Sequence, residues 1–234
     1  MSKILCLDTA TDICSVALLE NDQCIAFRDS VNDRSHASQL AVYIDELLKE
    51  SALKVSDLDA IAVSMGPGSY TGLRIGVSTA KGLCYGAGKP FIAVSTLQSM
   101  CFGIDHQLAP DVLSDEFYYC PMLDARRMEV YTAVYNHDHQ EIKSVNAEII
   151  DDDSFADLLE KKKMLFFGSG AEKTKVHLRH PNALFYDHFN HSARHMAPLA
   201  YARFIDNHFE DTAYFEPFYL KDFIATTPKN KVLG

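Results

Sequence analysis

Apolar and polar positions fall along this chain in short blocks that read as strands and helices. "KILCLDTA" (3–10) and "CSVALLEND" (14–22) are two β-rich runs around a polar turn, a hairpin pattern, and "QCIAFRDSV" (23–31) continues as a third strand. From Ser38 to Leu48 the apolar positions Leu40, Ile44, Leu47 and Leu48 recur at helical spacing. "LDAIAVSM" (58–65) is a continuously apolar run of the kind buried strands make. It ends in "MGPGSYTGLRIG" (65–76), where Ser69 is placed to cap a helix running to about Tyr85. "KPFIAVSTL" (89–97) then reads as a strand. Strands, helix, strand, helix, strand in this order predict an α/β unit.

The second half starts over. With Asp8 set against Asp124, "LCLDTATDICSVALLEND" lies on "PMLDARRMEVYTAVYNHD" without a gap. Leu7 meets Leu123, Ala17 meets Ala133 and Asp22 meets Asp138. The identities are few, and the shared strand–turn–strand pattern is the stronger argument. Two related α/β domains are expected, 1–108 and 109–234, with the boundary in the looser stretch "GIDHQLAPDVLSDE" (103–116).

Paired domains that each open with a hairpin bearing an Asp at its turn suggest the actin, sugar-kinase and chaperone-ATPase fold, with helices packed on mixed sheets. In that fold the two turns face each other across a cleft and hold ATP phosphates, which needs glycines so that backbone N–H groups approach the oxygens. Here the turns read "DTATD" and "DARRME", both without glycine. "FFGSGAEK" (166–173) is similar to the glycine turn that packs on adenosine in such proteins. The expectation is a degenerate nucleotide cleft around Asp8, Asp124, Gly168 and Gly170.

The stretch 65–76 is not a Walker loop, because no Gly-Lys-Ser/Thr follows four intervening residues. A glycine-bearing helix start can still hold an anion. Within the predicted helix, Gly72 and Gly76 lie one turn apart, and Thr79, Ala80 and Leu83 continue much the same face. Glycine inside a helix costs up to about 1 kcal/mol relative to alanine, and small residues at this spacing leave room for another helix. The other helix is either the chain's own 38–48 segment or a second protein.

Composition narrows the function. The 234 residues are 47% hydrophobic, enough for one large or two modest cores. The formal net charge of −10 argues against a chain whose main task is gripping a phosphate backbone. The dense cationic clusters are Lys161–Lys163, read as the end of an exposed helix, and the tail from Lys221 to Lys231. Six scattered cysteines without a C-x-x-C pair read as small buried hydrophobes rather than a zinc or disulfide framework. No apolar run reaches the roughly 20 residues of a membrane span, and "MSKILCLDTATD" has no signal-peptide pattern, so a cytoplasmic location is expected.

In chain order, "LDTAT", "RSHASQL", "MGPGSYTGLRIGVSTAKGL", "LDARRMEVYTAVY", "FGSGAEK" and "FEPFYLKDF" resemble the bacterial TsaB (YeaZ) family over nearly the whole chain, the glycine stretch being the most specific element. The resemblance implies a non-catalytic partner subunit of the machinery that makes threonylcarbamoyladenosine in tRNA. The larger paralogue, TsaD, transfers the threonylcarbamoyl group to the adenosine beside the anticodon of ANN-decoding tRNAs. TsaD holds a metal through His-x-x-x-His on its first helix. Here His36 is followed four positions later by Leu40, so one required ligand is missing.

The resemblance also implies that the first two helices, roughly 36–50 and 70–86, dock on the matching pair of TsaD as a four-helix bundle. The expected interface is His36, Leu40, Ile44, Leu47, Tyr70, Gly72, Leu73, Gly76, Thr79, Ala80 and Leu83. The small ATPase TsaE is expected near the seam, tRNA is contacted mainly through the complex, and the chain itself requires no cofactor. A nucleotide at the subunit interface and self-pairing of the isolated chain stay open.

His188, His191 and His195 form a His-x-x-His-x-x-x-His run, but Ser192 is read as a helix cap and Pro198 as a disturbance of that helix, so no metal is expected there. "HDH" (137–139) reads as solvated polar surface at a hairpin turn, and no catalytic triad is evident. Two enzymatic readings compete with the subunit reading. One is a kinase or ATPase using Asp8 and Asp124 for Mg²⁺, with Gly168 and Gly170 at the adenosine. The other, a metallopeptidase-like activity, is the weaker because the ligands are missing.

Overall fold

A computed structural model describes residues 1–30, 36–108 and 117–221. The first half forms β1 (Lys3–Asp8), β2 (Ser15–Glu20), β3 (Gln23–Asp29), α1 (His36–Glu50), β4 (Ala60–Gly66), α2 (Tyr70–Ala87), β5 (Phe91–Ser95) and α3 (Thr96–Asp105). The second forms β6 (Phe117–Asp124), β7 (Glu129–Tyr135), β8 (Glu141–Ile149), α4 (Ala156–Leu159), β9 (Lys163–Phe167), α5 (Ala171–Thr174), β10 (Ala183–Tyr186) and α6 (Ala197–Ile205).

The duplication is visible in the topology. One sheet runs β3-β2-β1-β4-β5 and the other β8-β7-β6-β9-β10, both five-stranded. In each, the first three strands pair antiparallel and the last two join parallel to the first. Asp8 and Asp124 end the equivalent strands β1 and β6. The α/β class with two related mixed sheets is as the sequence predicts.

Both faces of the first sheet are covered, which is why β1, β2 and β4 read as unbroken apolar runs rather than alternating ones. Leu5, Leu7, Val16, Leu18, Ile61 and Val63 meet Leu40, Ile44 and Leu47 of α1 and Val77 and Ala80 of α2. Ile4, Cys6, Ala17, Leu19, Ile92 and Val94 point to the other face. That face is covered by Ala193 and Met196 of a short 3-10 turn and by Ala197 and Ala200 of α6, from the far end of the chain.

The exchange is reciprocal. α3, which follows β5 of the first sheet, buries Leu97, Met100, Cys101 and Ile104 against Tyr119, Leu123, Ala133, Leu165 and Phe167 of the second. Residues 193–205 of the stretch 109–234 therefore belong by packing to the first sheet. Most of the expected boundary stretch, 109–116, lies outside the described residues. Pro198 does not disturb the last helix: it sits in its first turn, where a missing N–H costs nothing.

Five of the six cysteines are buried and all are free thiols. Burial pushes the Cys14, Cys84 and Cys120 thiols up to about 12, so they behave as packing groups. Of the two lysine clusters, Lys161 and Lys162 follow α4 and Lys163 opens β9, while the tail beyond Lys221 lies outside the described residues.

Candidate functional site

The two hairpin turns face one cleft of about 1080 Å³, bordered by Thr11, Asp12 and Ile13 from the first and Asp124, Arg126 and Arg127 from the second. The start of α2 (Ser69, Tyr70, Thr71), Gly168, Phe189, His191 and Lys221 complete its lining. Each turn is built the same way, an aspartate Oδ1 accepting the amide two residues on. Asp8 takes Ala10 N at 2.9 Å and Asp124 takes Arg126 N at 2.8 Å.

Both aspartates already have partners inside the chain. Asp8 is fully buried; its Oδ1 also accepts Ser64 Oγ at 2.8 Å and its Oδ2 lies 2.7 Å from His191 Nε2. Burial pushes the Asp8 carboxyl up, but the charge and hydrogen bond of His191, with the Ala10 amide and Ser64 hydroxyl, leave it below its ordinary value. Burial likewise pushes His191 down and Asp8 more than offsets it, so the imidazole is raised. Asp124 sits 2.5 Å from Lys173 Nζ, which also donates to Glu129 O at 2.7 Å. Partial burial pushes Asp124 up and the Lys173 hydrogen bond outweighs it, leaving the carboxyl low.

A magnesium nucleotide held through Asp8 and Asp124 does not fit these residues. One carboxylate is sealed behind His191 and the other carries a lysine. Asp124 and Gly168 do border the cleft, but Asp8 does not reach it, and a side chain at Gly170 would point into Val130 and Leu123 rather than the cleft.

The histidine run divides. His188 is exposed, His191 joins Asp8, and His195 is buried against Phe189 and Gly103 with neither nitrogen hydrogen-bonded among the described residues. The described residues contain no group of three that could hold a metal. The Asp8–His191 pair is what reading the sequence missed, because its members stand 183 positions apart. The sequence reading also erred at His139. Its ring lies 4.1 Å from that of Phe102 and 2.8 Å from Asp105, with the side chain 11% exposed, so it is packed rather than solvated.

The expected partner interface needs a larger correction. Leu40, Ile44, Leu47, Leu73 and Ala80 are in the chain's own core and His36 is buried at the start of α1. Gly72 and Gly76 face inward, where a Cβ would collide with the carbonyl oxygen and the hydroxyl of Thr9; Thr9 Oγ1 donates to Gly72 O at 2.7 Å. These glycines let α2 press on the end of β1. Leu83 leans partly on the same core, whereas Tyr70 and Thr79 border a shallow groove on the outer face with Ala37, Arg74, Ile75 and Ser78.

The glycines that point outward are two others. Around Gly82 and Gly86 a Cβ would meet nothing within 4 Å. Beside them Tyr85 is 88% exposed, and Val42 of the neighbouring α1 is 49% exposed. In the sequence they stand in "KGLCYGAG", at the same four-residue spacing as Gly72 and Gly76.

Comparison with known proteins adds the lineage. The sequence model of the TsaD family, described as tRNA N6-adenosine threonylcarbamoyltransferase, matches residues 30–229. A relative in Escherichia coli named "tRNA threonylcarbamoyladenosine biosynthesis protein TsaB" is 39% identical over 141 residues, 60% of this chain and 58% of that protein. The protein of the same name in Haemophilus influenzae is 37% identical over 132 residues, 55% of this chain and 51% of its own. The chain thus spans little more than half the length of these relatives. A crystal structure of a Pseudomonas aeruginosa protein, described as uncharacterized with similarity to peptidase YeaZ, superposes with a TM-score of 0.80 at 26% identity. It covers 94% of this chain and all of that one. A second structure, YeaZ from the same organism, gives 0.80 at 25% identity over 94% of this chain and 100% of its own.

Proposed function

The chain belongs to the TsaB (YeaZ) family within the TsaD lineage, and on that premise we propose that it is a non-catalytic subunit in the making of threonylcarbamoyladenosine in tRNA. On this reading it docks on a larger TsaD-type paralogue, which performs the threonylcarbamoyl transfer to the adenosine beside the anticodon.

The observation that carries the reading is the outward face of α2. Gly82 and Gly86 lie one turn apart with open space above them, flanked by Tyr85. Interior helix glycines cost about 1 kcal/mol each, and nothing inside this fold requires these two. A partner helix packed closely on that face would. Ala41 and Val42 of α1 are exposed as well, and on this reading they belong to the docking surface.

The chain's own site favours a supporting role. Leu40 sits in the core where a second metal-binding histidine is expected, and both turn aspartates are engaged from inside the chain, Asp8 by His191 and Asp124 by Lys173. The kinase or ATPase reading therefore lacks the carboxylates it would use. With a net charge of −10, the chain leaves tRNA contact mainly to its partners. TsaE recruitment, a nucleotide at the subunit seam and self-pairing of the isolated chain through the same α1–α2 face belong to this proposal. So does a cytoplasmic site of action; among the described residues no helix is long and apolar enough to cross a membrane.

The test is a leave-one-out reconstitution of tRNA threonylcarbamoylation with this chain, TsaD, TsaE and the enzyme that supplies the adenylate. Modification collapsing without the chain, with none made by the chain in the absence of TsaD, supports the subunit reading. Modification that proceeds equally without it refutes the reading. Gly86→Leu should abolish capture of TsaD while leaving the circular dichroism spectrum unchanged; undiminished capture removes α2 as the docking face.

A further inference from the structure

After α6 the chain returns to the first half and lies along one flank of α2. Lys81 Nζ donates to Ala213 O at 3.2 Å and to Phe215 O at 3.0 Å. Phe215 turns inward, its ring edge-on to that of Phe91 at 5.0 Å. Phe218 N donates to Met65 O at 2.8 Å, and the Tyr219 ring lies 4.8 Å from that of Tyr70 at the start of α2. Gly66 admits this close approach, since a Cβ there would stand 2.8 Å from Phe218 O. Residues 213–219 thus form a strap running antiparallel to α2 from Lys81 back to Tyr70, about 16 Å at 1.5 Å per residue.

The strap is fixed where it is most exposed. Asp211 Oδ1 accepts Ala213 N at 2.7 Å and Tyr214 N at 3.2 Å, and Asp211 O accepts Phe215 N at 2.9 Å. Lys81 ties the residues on either side of Tyr214, yet Tyr214 itself is 85% exposed. An aromatic side chain on so constrained a turn is preorganised for contact, because little backbone freedom is left to lose on binding.

Tyr85 stands one helical turn beyond Lys81 on the same flank and is as bare. The helix pair alone is a thin surface. Among the described residues the large apolar side chains that α1 and α2 expose are Val42 and Tyr85, and Gly82 and Gly86 add no side-chain area. A stable interface takes roughly 800 Å² from each partner, and one buried aromatic side chain supplies about 150–250 Å². Tyr214, with the partly exposed Phe218 and Tyr219 of the same strap, adds the aromatic area the glycine face lacks.

The TsaD family model takes in α1, α2 and the strap together. A TsaD-type paralogue therefore has counterparts of all three, and a helix pair of the same build is the partner this surface fits. We propose, resting on the docking reading above, that the strap is a third element of the docking surface: clipped to α2 by Lys81, it sets Tyr214 against the helix pair of the TsaD-type paralogue.

The experiment is calorimetric titration of the full chain with purified TsaD, repeated with Tyr214→Ser, Lys81→Met, Gly86→Leu and Val176→Ser. Tyr214→Ser should weaken binding at least about tenfold with the melting temperature unchanged, as expected of an exposed aromatic anchor. Lys81→Met, which keeps Tyr214 and releases the strap from α2, should weaken it as well. Val176→Ser, which removes an exposed apolar side chain of the second half, should leave the affinity as it was. Unchanged affinity in Tyr214→Ser or Lys81→Met, with binding abolished in Gly86→Leu, overturns the strap's part and leaves the docking reading standing. Undiminished binding in Tyr214→Ser, Lys81→Met and Gly86→Leu alike overturns both. An equal loss in Val176→Ser overturns the assignment to Tyr214, since any exposed apolar group would then serve.

Discussion

Asp8 Oδ2 and His191 Nε2 meet at 2.7 Å in the interior, joining the end of the first strand to the segment that leads into the last helix. The contact ties the two halves of the chain together beneath the cleft. It also holds the Asp8 carboxylate in the interior, off the cleft lining.

Removing one partner of that buried pair should be costly. His191→Ala leaves the Asp8 carboxylate buried with only Ala10 N and Ser64 Oγ, and a loss of about 3–5 kcal/mol in unfolding free energy is expected. Urea denaturation measures it. A loss below about 1 kcal/mol would mean the pair is solvated in solution.

The same pair predicts a pH window. Asp8 has a lowered pKa, so its contribution is complete above the unfolded carboxylate value of about 3.9 and is lost as pH falls through the folded value. His191 has a raised pKa, so its contribution is complete below the unfolded imidazole value of about 6.5 and is lost as pH rises through the folded value. The pair therefore contributes fully between about pH 4 and 6.5. The stability difference between wild type and His191→Ala, followed by denaturation across pH, should be largest in that window and shrink on both sides.

His195 works in the opposite sense. Burial first, then the charges of His191, Arg194 and His106, push its imidazole down to about 3. The unfolded chain takes up a proton near pH 6.5 that the folded chain refuses, so this residue subtracts stability progressively from about pH 6.5 toward 3. His195→Leu should flatten the acid side of the stability profile, by roughly 2–4 kcal/mol at the low end. An unchanged acid slope would show that His195 is protonated in the fold.

The glycines of α2 should separate by direction. Gly82→Ala and Gly86→Ala, which meet open space, should stabilise the isolated chain by about 0.5–1 kcal/mol each through helix propensity. Gly72→Ala and Gly76→Ala should destabilise it, since the new Cβ collides with Thr9. Melting curves of the four variants check the split.

That split marks how far the sequence could be read. Strand and helix runs, the Ser69 cap, the duplication about Asp8 and Asp124 and the α/β class were legible because each rests on local periodicity or a local repeat. Which glycines face outward was not, because spacing alone assigns residues to a common face and does not say what lies against it. Leu40, Ile44 and Leu47 were legible as an apolar stripe, but the stripe is the same whether a sheet or a partner covers it. The Asp8–His191 pair and the internal cation on Asp124 depend on chain segments far apart in sequence, so no window contains them.

The reciprocal packing of α3 and α6 bears on the domain division. If 1–108 were a self-sufficient domain, it would fold when expressed alone. Its sheet would then expose Ile4, Cys6, Ala17, Leu19, Ile92 and Val94, which residues 193–200 cover in the whole chain. At about 1.5–3 kcal/mol for each of the large side chains Ile4, Leu19, Ile92 and Val94 left in water, that face alone forgoes a contribution comparable to the 5–15 kcal/mol by which such domains are stable. The fragment is expected to be unfolded or aggregated, and Ala200→Asp in the full chain should destabilise by several kcal/mol through an unpaired charge under the same sheet. A soluble 1–108 fragment with a cooperative melting transition would restore the simple two-domain division at that boundary. Complementation separates the causes: added peptide 187–221 should rescue the fragment if the missing cover is what it lacks, and should do nothing if the fragment fails for want of α3's partner sheet.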